Sequence, residues 1–285
     1  MRPNTEKRDA MTPLDHNRDD ICVLFFGDLV GKPGRRAMKR ILPELVQAHH
    51  PDLVIANGEN ASGGFGLTID VAGEMFDAGV DIITSGNHIW DKKEIIDYLD
   101  HTPTLLRPAN YPDGTPGSGA ALATTNSGIH VFILNLIGRR FMGLYDDPFA
   151  SADKMIDGVK NETPIIIVDF HGEDTREKAA LARYLDGRVS AVIGTHTHVQ
   201  TADERVLPGG TAFITDAGMT GPTDSVIGVK KERAVTRFLT SIPQRFDTAK
   251  AGVEAQGVLL YIEPESGRAR SITRFRERHE KKGRS

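Results

Sequence analysis

One cysteine, Cys22, among 285 residues leaves no room for an internal disulfide and argues against a thiolate zinc site. Cys22 lies inside an apolar run and reads as a small buried hydrophobe. No apolar run approaches the ~20 residues that a bilayer crossing needs. Residues 1–20 are polar and charged, without the apolar core and cleavage pattern of a secretory signal. They read as a disordered extension of a soluble, cytoplasmic protein with no membrane contact. A strong charge of either sign is also missing. The net charge of -4 argues against a chain that holds nucleic acid mainly by its charge. There is no internal repeat, low-complexity segment or clear linker, so residues 21–276 read as a single domain. A chain of this size buries about three quarters of its unfolded surface and needs no staples.

Two reaction classes lack their signatures. No Gly-x-Ser-x-Gly elbow follows a strand, and Ser85 has no evident base. The stretch Gly27-Asp28-Leu29-Val30-Gly31-Lys32-Pro33 is one residue short of a phosphate loop, with Pro33 where a magnesium-binding Ser or Thr would stand.

What is present is an alternation of apolar runs and helical patterns. Strands are expected at Ile21–Phe26, Asp52–Ala56, Asp81–Thr84, Ile165–Asp169, Val189–Ile193, Thr211–Ile214, Val258–Ile262 and Ser271–Arg274. Gly119–Thr124 and His130–Leu136 flank a turn and read as a hairpin. Helices are expected from Pro33 through Leu45, from Thr68 to near Gly79, and over Lys92–Leu99, Thr175–Leu185 and Lys231–Thr240. Early strand–helix–strand units followed by mixed strands predict an α/β sandwich, two mixed β-sheets flanked by helices.

Chemistry collects after the strands, where α/β sheets bind ligands. In order, the strand ends carry Asp28, Asn57-Gly58-Glu59-Asn60, Gly86-Asn87-His88, Asp169-Phe170-His171 and Gly194-Thr195-His196-Thr197-His198. Extended geometry would put His196 and His198 on one side of a strand end, placed for one metal cluster. Taken alone, each element has a plainer reading. Asp28 would cap a helix, Asn57 and Asn60 would be turn residues, His171 would be structural, and the histidine pair would be alternating strand residues. Taken together, those readings need a separate coincidence at every strand end. The donors are too many for one tetrahedral zinc, and suit two metals sharing a bridging carboxylate. Nitrogen and oxygen without sulfur favour Fe, Mn or Zn.

With these residues in place, the chain resembles the calcineurin-like metallophosphoesterases. That family carries an Asp after its first strand, a Gly-Asn-His segment, a later His and a Gly-His-x-His segment. Val30 stands where the broad family has a histidine, and Glu59 where its bridging residue is usually Asp. Both departures, with Asn57–Ala61, Gly86–Glu94, Arg107–Asn110 and Thr195–Asp203, resemble the YmdB-like branch of bacterial cyclic-nucleotide phosphodiesterases. The resemblance implies an enzyme with two divalent or trivalent metal ions, one on Asp28, Glu59, Asn60 and His198, the other on Glu59, Asn87, His171 and His196. It implies that a metal-bridging hydroxide opens small 2',3'-cyclic nucleotides to nucleoside monophosphates, with His88 as general acid. Ile89 replaces the family's acidic partner of that histidine, and Asp91 is the candidate substitute. Phe65, Phe141 and Tyr145 are candidate base-stacking residues, while the base pocket itself is not readable. Two alternatives stay open, a metal-bound regulatory or RNA-associated scaffold and a phosphomonoesterase on the same site. The arginines and lysines from Arg268 on, including the basic tail 277–285, read as a solvated strand face and frayed end, or as a contact for RNA. Assembly as a homo-oligomer is left open.

Overall fold

The structure is a computed structural model that describes residues 19–278. The expected N-terminal extension, save Asp19 and Asp20, and the basic tail beyond Arg278 lie outside the described residues. The chain runs β1 (Ile21–Phe26), β2 (Asp28–Leu29), α1 (Gly31–His49), β3 (Leu53–Asn57), α2 (Ile69–Asp77), β4 (Ile82–Thr84) and α3 (Ile95–His101). It continues through β5 (Ala120–Thr124), β6 (His130–Ile137), α4 (Pro148–Val159), β7 (Ile166–His171), α5 (Thr175–Tyr184) and β8 (Ala191–Thr195). The last elements are β9 (Arg205–Val206), β10 (Ala212–Ile214), β11 (Met219–Pro222), α6 (Lys231–Thr240), β12 (Val253–Ile262) and β13 (Ala269–Arg278).

Period-two side-chain alternation makes the layers. In β1, Ile21, Val23 and Phe25 join the core between the two sheets, while Cys22, Leu24 and Phe26 join the core under α1 and α2. A third core, built around Val168, Phe170 and Leu181, lies between the second sheet and α4 and α5. One sheet has the order β2-β11-β12-β1-β3-β4 with β13 on β12; the other has the order β5-β6-β7-β8-β10-β9. Each mixes parallel and antiparallel pairs, so the expected α/β sandwich of two mixed sheets flanked by helices is what forms. Among the described residues no helix is long and apolar enough to cross a membrane.

Cys22 is buried, as its run implied. Burial and the nearby Asp52 charge, opposed by a hydrogen bond with Tyr261, push its thiol up to about 12.

Several elements differ from expectation. Helix α4 was not anticipated, although Asp147 caps it by accepting from Phe149 N and Pro148 opens it. The helix expected from Lys92 begins instead at Ile95, because Asn87–Asp91 form a 3-10 turn first. Strand β13 extends well past Arg274, and its arginines meet carboxylates of their own chain. Arg270 pairs with Asp20, Arg274 with Glu204, and both Arg276 and Arg278 with Glu254. This matches a strand face and lends no support to an RNA contact.

Parallel pairing of β1 with β3, β3 with β4, and β7 with β8 brings the C-terminal ends of these strands to one edge of the sandwich. Every polar segment singled out above leaves from that edge.

Candidate metal centre

Asp28, Glu59 and His171 are fully buried, and Asn60 nearly so. Asn87 and His88 start the 3-10 turn after β4. His171 is the last residue of β7 rather than part of a loop. His196 and His198 follow β8 with φ of 102° and 64°, so the pair is not extended, and a turn rather than strand alternation brings both rings to one centre. The turn sends the two rings to different partners. Such left-handed backbone costs roughly 1–3 kcal/mol per residue and persists only where the surroundings enforce it.

The surroundings here are specific. Asp28 Oδ2 accepts from His196 N at 3.0 Å, and Asp216 Oδ2 accepts from Thr197 N at 3.0 Å. Asp216 is itself held by Lys178, whose buried Nζ donates to Asp216 Oδ2 at 2.9 Å and to Thr195 O at 2.6 Å. Close packing fixes the glycines. A Cβ on Gly86 would lie 2.2 Å from His171 Cδ2 and 2.4 Å from Glu59 Oε2, and one on Gly194 would lie 1.8 Å from Thr215 O.

The three histidines each direct one ring nitrogen away from the centre and the other into it. His171 Nδ1 donates to Thr195 Oγ1 at 2.9 Å, and that hydroxyl donates to Asp169 Oδ1 at 2.7 Å. His198 Nδ1 donates to Ile227 O at 2.9 Å. His196 Nε2 faces Glu173 Oε2 at 3.2 Å. This is how outer partners fix the tautomer of a ligating imidazole.

The inward atoms converge on His171 Nε2. Glu59 Oε1 lies 3.2 Å from it, Asn87 Oδ1 3.2 Å and His196 Nδ1 3.0 Å. One ring N–H cannot serve three acceptors, whereas one cation can. A second convergence brings Asp28 Oδ1 to 3.9 Å from His198 Nε2, which also accepts from Asn60 Nδ2 at 3.3 Å. Asp28 Oδ1 and Asn60 Oδ1 are buried without a hydrogen-bond partner, as atoms reserved for a cation would be. Two groups of ligand atoms, each within 4.8 Å of one another, result: Glu59, His171 and His196, and Asp28, Glu59 and His198. Glu59 belongs to both. The residues present therefore fit metal binding.

Electrostatics agree. Burial opposes charge on His171, but Glu59, Asp28 and Asp169 outweigh it and push the imidazole up to about 9. His196 is pushed down to about 3 by burial and by the neighbouring His171. Burial likewise raises Asp28, and it lifts Asp169 to about 6. Glu59 is held below the usual carboxylate range, because the pull of His171 and His88 exceeds its burial. Because these carboxylates favour the charged imidazole, a proton on His171 would compete with a cation for the same nitrogen.

His88 stands outside both groups. Its N–H donates to Glu59 Oε2 at 3.1 Å, and its Nδ1 meets Asp91 Oδ2 at 2.9 Å. Asp91 is thus the partner expected for His88 and does not cap α3, whose N-cap is Glu94. His88 lines a cavity of about 470 Å3, together with Glu59, Asn60, His196, His198 and the aromatic rings of Phe65 and Phe246. Phe141 and Tyr145 do not line it. Tyr145 packs on Tyr111, which packs on Trp90, and Phe141 lies under Arg140.

Four contributors escaped the sequence reading. Lys178 and Asp216 look like ordinary surface charges of a helix and a loop. Glu173 carried a usable signal, two residues after His171. Phe246 lies in a stretch without periodicity, and nothing there marks it.

The profile of the family described as YmdB-like protein matches residues 24–275. A Bacillus subtilis (strain 168) protein named 2',3'-cyclic-nucleotide 2'-phosphodiesterase is 49% identical over 253 residues, covering 89% of this chain and 96% of the relative. The crystal structure of a Mycoplasma pneumoniae protein described as a novel phosphatase superposes with a TM-score of 0.86 at 34% identity, covering 92% of this chain and 94% of that one. That of a Thermus thermophilus protein described only as hypothetical superposes with a TM-score of 0.84 at 42% identity, covering 91% and 100%. With this fold and these likenesses the chain is a hydrolase, and it belongs to the YmdB-like family.

Proposed function

We propose that the chain is a phosphodiesterase that opens nucleoside 2',3'-cyclic phosphates at a centre of two metal ions. One ion would be held by Asp28, Glu59, Asn60 and His198, and the other by Glu59, Asn87, His171 and His196. The observation that carries this reading is the convergence of inward-facing ligand atoms on both sides of Glu59, beside an open cavity lined by His88. Nitrogen and oxygen donors suit Fe, Mn or Zn. Bound metal would supply Lewis acidity toward the phosphate oxygens and acidify water.

The chain's own groups do the rest. Asp91 orients the His88 ring through Nδ1, which leaves Nε2 to carry a proton into the cavity. The name of the B. subtilis relative puts the broken bond at the 2'-oxygen. Hydrolysis adds water across that P–O bond: oxygen goes to phosphorus, the P–O2' bond breaks, and His88 gives a proton to O2'. The product is a nucleoside 3'-phosphate. The cavity of about 470 Å3 over this buried floor has room for a small phosphodiester. Likeness to the M. pneumoniae protein, described as a phosphatase, keeps a phosphomonoesterase as the second reading, which a substrate panel separates.

The test pairs elemental analysis with turnover of 2',3'-cAMP. His88→Ala should keep its metal while turnover falls about 10²–10⁴-fold. Unchanged turnover would remove His88 as the acid. Glu59→Gln should disturb both metals, and loss of one alone would rule out a shared ligand.

A further inference from the structure

We infer that Phe246 and Phe65 form the subsite for the nucleobase, with Phe246 as its outer ring. The inference rests on the reading of the site as a 2',3'-cyclic nucleotide phosphodiesterase.

Chemistry sets the direction. In a nucleoside 2',3'-cyclic phosphate, the 2'-oxygen is borne by C2', and the adjacent carbon, C1', carries the base. The group that protonates O2' therefore stands at the C1' end of the ribose, the end that bears the base, although O2' and the base leave from opposite faces of the ring. That group is His88, and the ring next to it is Phe65, with centroids 5.0 Å apart in an edge-to-face contact. Beyond Phe65 comes Phe246, 5.7 Å away and tilted by 52°. Both rings line the same cavity as His88 and the metal-ligand candidates.

Phe246 has the surroundings of a recognition residue rather than of a core residue. It keeps 39% of its surface open, where phenylalanines of the cores keep under a tenth. One face of the ring is covered by the Arg237 guanidinium, 5.1 Å from the centroid. A cation over the face holds the ring in place. The loop that bears it is tied to the loop that bears Phe65: Thr248 Oγ1 donates to Gly63 O at 2.9 Å. Close approach of the two loops depends on Gly64, where a Cβ would come within 2.6 Å of Thr248 Oγ1.

The wall offers a π-surface without an obvious reader of base edges. Its polar groups are engaged elsewhere, Asp247 with Lys230 and Thr248 with Gly63. Stacking is tolerant of base identity because every base has a π-face. The subsite thus accepts both purines and pyrimidines, and favours purines through their larger ring area.

The experiment compares wild type, Phe246→Ala, Phe246→Leu and Phe246→Tyr on two substrates, 2',3'-cAMP and the base-free diester glycerol 1,2-cyclic phosphate. Phe246→Ala should lower kcat/KM for 2',3'-cAMP about 5- to 150-fold, mainly through KM. Its activity on glycerol 1,2-cyclic phosphate should be unchanged, and Phe246→Tyr should keep both activities. Phe246→Leu preserves apolar bulk without a π-face and should follow the alanine variant. It carries the test if Phe246→Ala does not fold. Unchanged turnover of 2',3'-cAMP by Phe246→Leu, or equal loss on both substrates, overturns the subsite while leaving the parent reading standing. A wild type that opens neither substrate overturns the parent reading and the subsite with it.

Discussion

The floor and the wall of the cleft are built differently. On the floor, Asp28, Glu59, Asn60 and His171 sit at or just beyond strand ends with almost no exposed surface, each tied to a residue at the end of another strand. On the wall, Phe65 and Phe246 hang from loops, and α6 beyond them leaves Phe238 and Leu239 each 82% exposed. The lesson is a division of labour. Groups that must be placed within a fraction of an ångström sit at strand ends or in the tight turns just beyond them, and groups that meet a variable ligand are carried by longer loops. Floor substitutions should therefore move stability and metal content, and wall substitutions should act mainly on KM.

The largest effect is expected at Lys178. Lys178→Met leaves the buried Asp216 carboxylate without its cation, which ordinarily costs about 3–5 kcal/mol. Chemical denaturation measures this, and stability equal to wild type would detach the ion pair from the histidine turn. Next comes Asp169→Asn, which disturbs the acceptor of Thr195 and so the orientation of His171. Metal affinity should drop about 10–100-fold, the usual effect of an outer partner, as read by competition with a chelator. An equally weak metal site in Phe246→Leu would break the division between floor and wall.

Thr248→Val probes the wall. It removes one hydrogen bond between the two loops, worth about 0.5–1.5 kcal/mol, and KM should rise by a correspondingly small factor with metal content unchanged. The smallest effect concerns acid. Burial works against the Asp203 carboxylate, but bonds from Thr201 and Thr215 hold it below the usual range. Its stabilisation is therefore complete above pH ~4, the unfolded carboxylate value, and is lost as pH falls through the lowered folded value. Thermal midpoints from pH 6 down to 3 should converge for wild type and Asp203→Asn; parallel curves would count against this.

Much of the floor was legible because strand ends with glycine and polar donors are local patterns. Asp28, Glu59, Asn60, Asn87, His171, His196 and His198 could all be picked out before their neighbours were known, and they do come together. The sandwich was legible for the same reason, since period-two alternation in β1 already separates the two faces. The backbone of the histidine pair was not legible. Its positive φ values are imposed by Asp28 and by Lys178 acting through Asp216, contacts that span many residues. Phe246 stayed hidden because its partner, Phe65, lies far away in sequence and no periodicity links them. The arginines of β13 invited a partner outside the chain until their carboxylates were seen.

The buried thiol of Cys22 has a practical sequel. With the thiol buried and its ionisation pushed up to about 12, little thiolate forms at neutral pH and maleimides have little to attack. For spectroscopy the folded chain behaves as though it had no cysteine. A single new thiol at the exposed Leu239 of α6 would take a fluorophore or spin label, and the surroundings of that helix could be followed without touching the native residue.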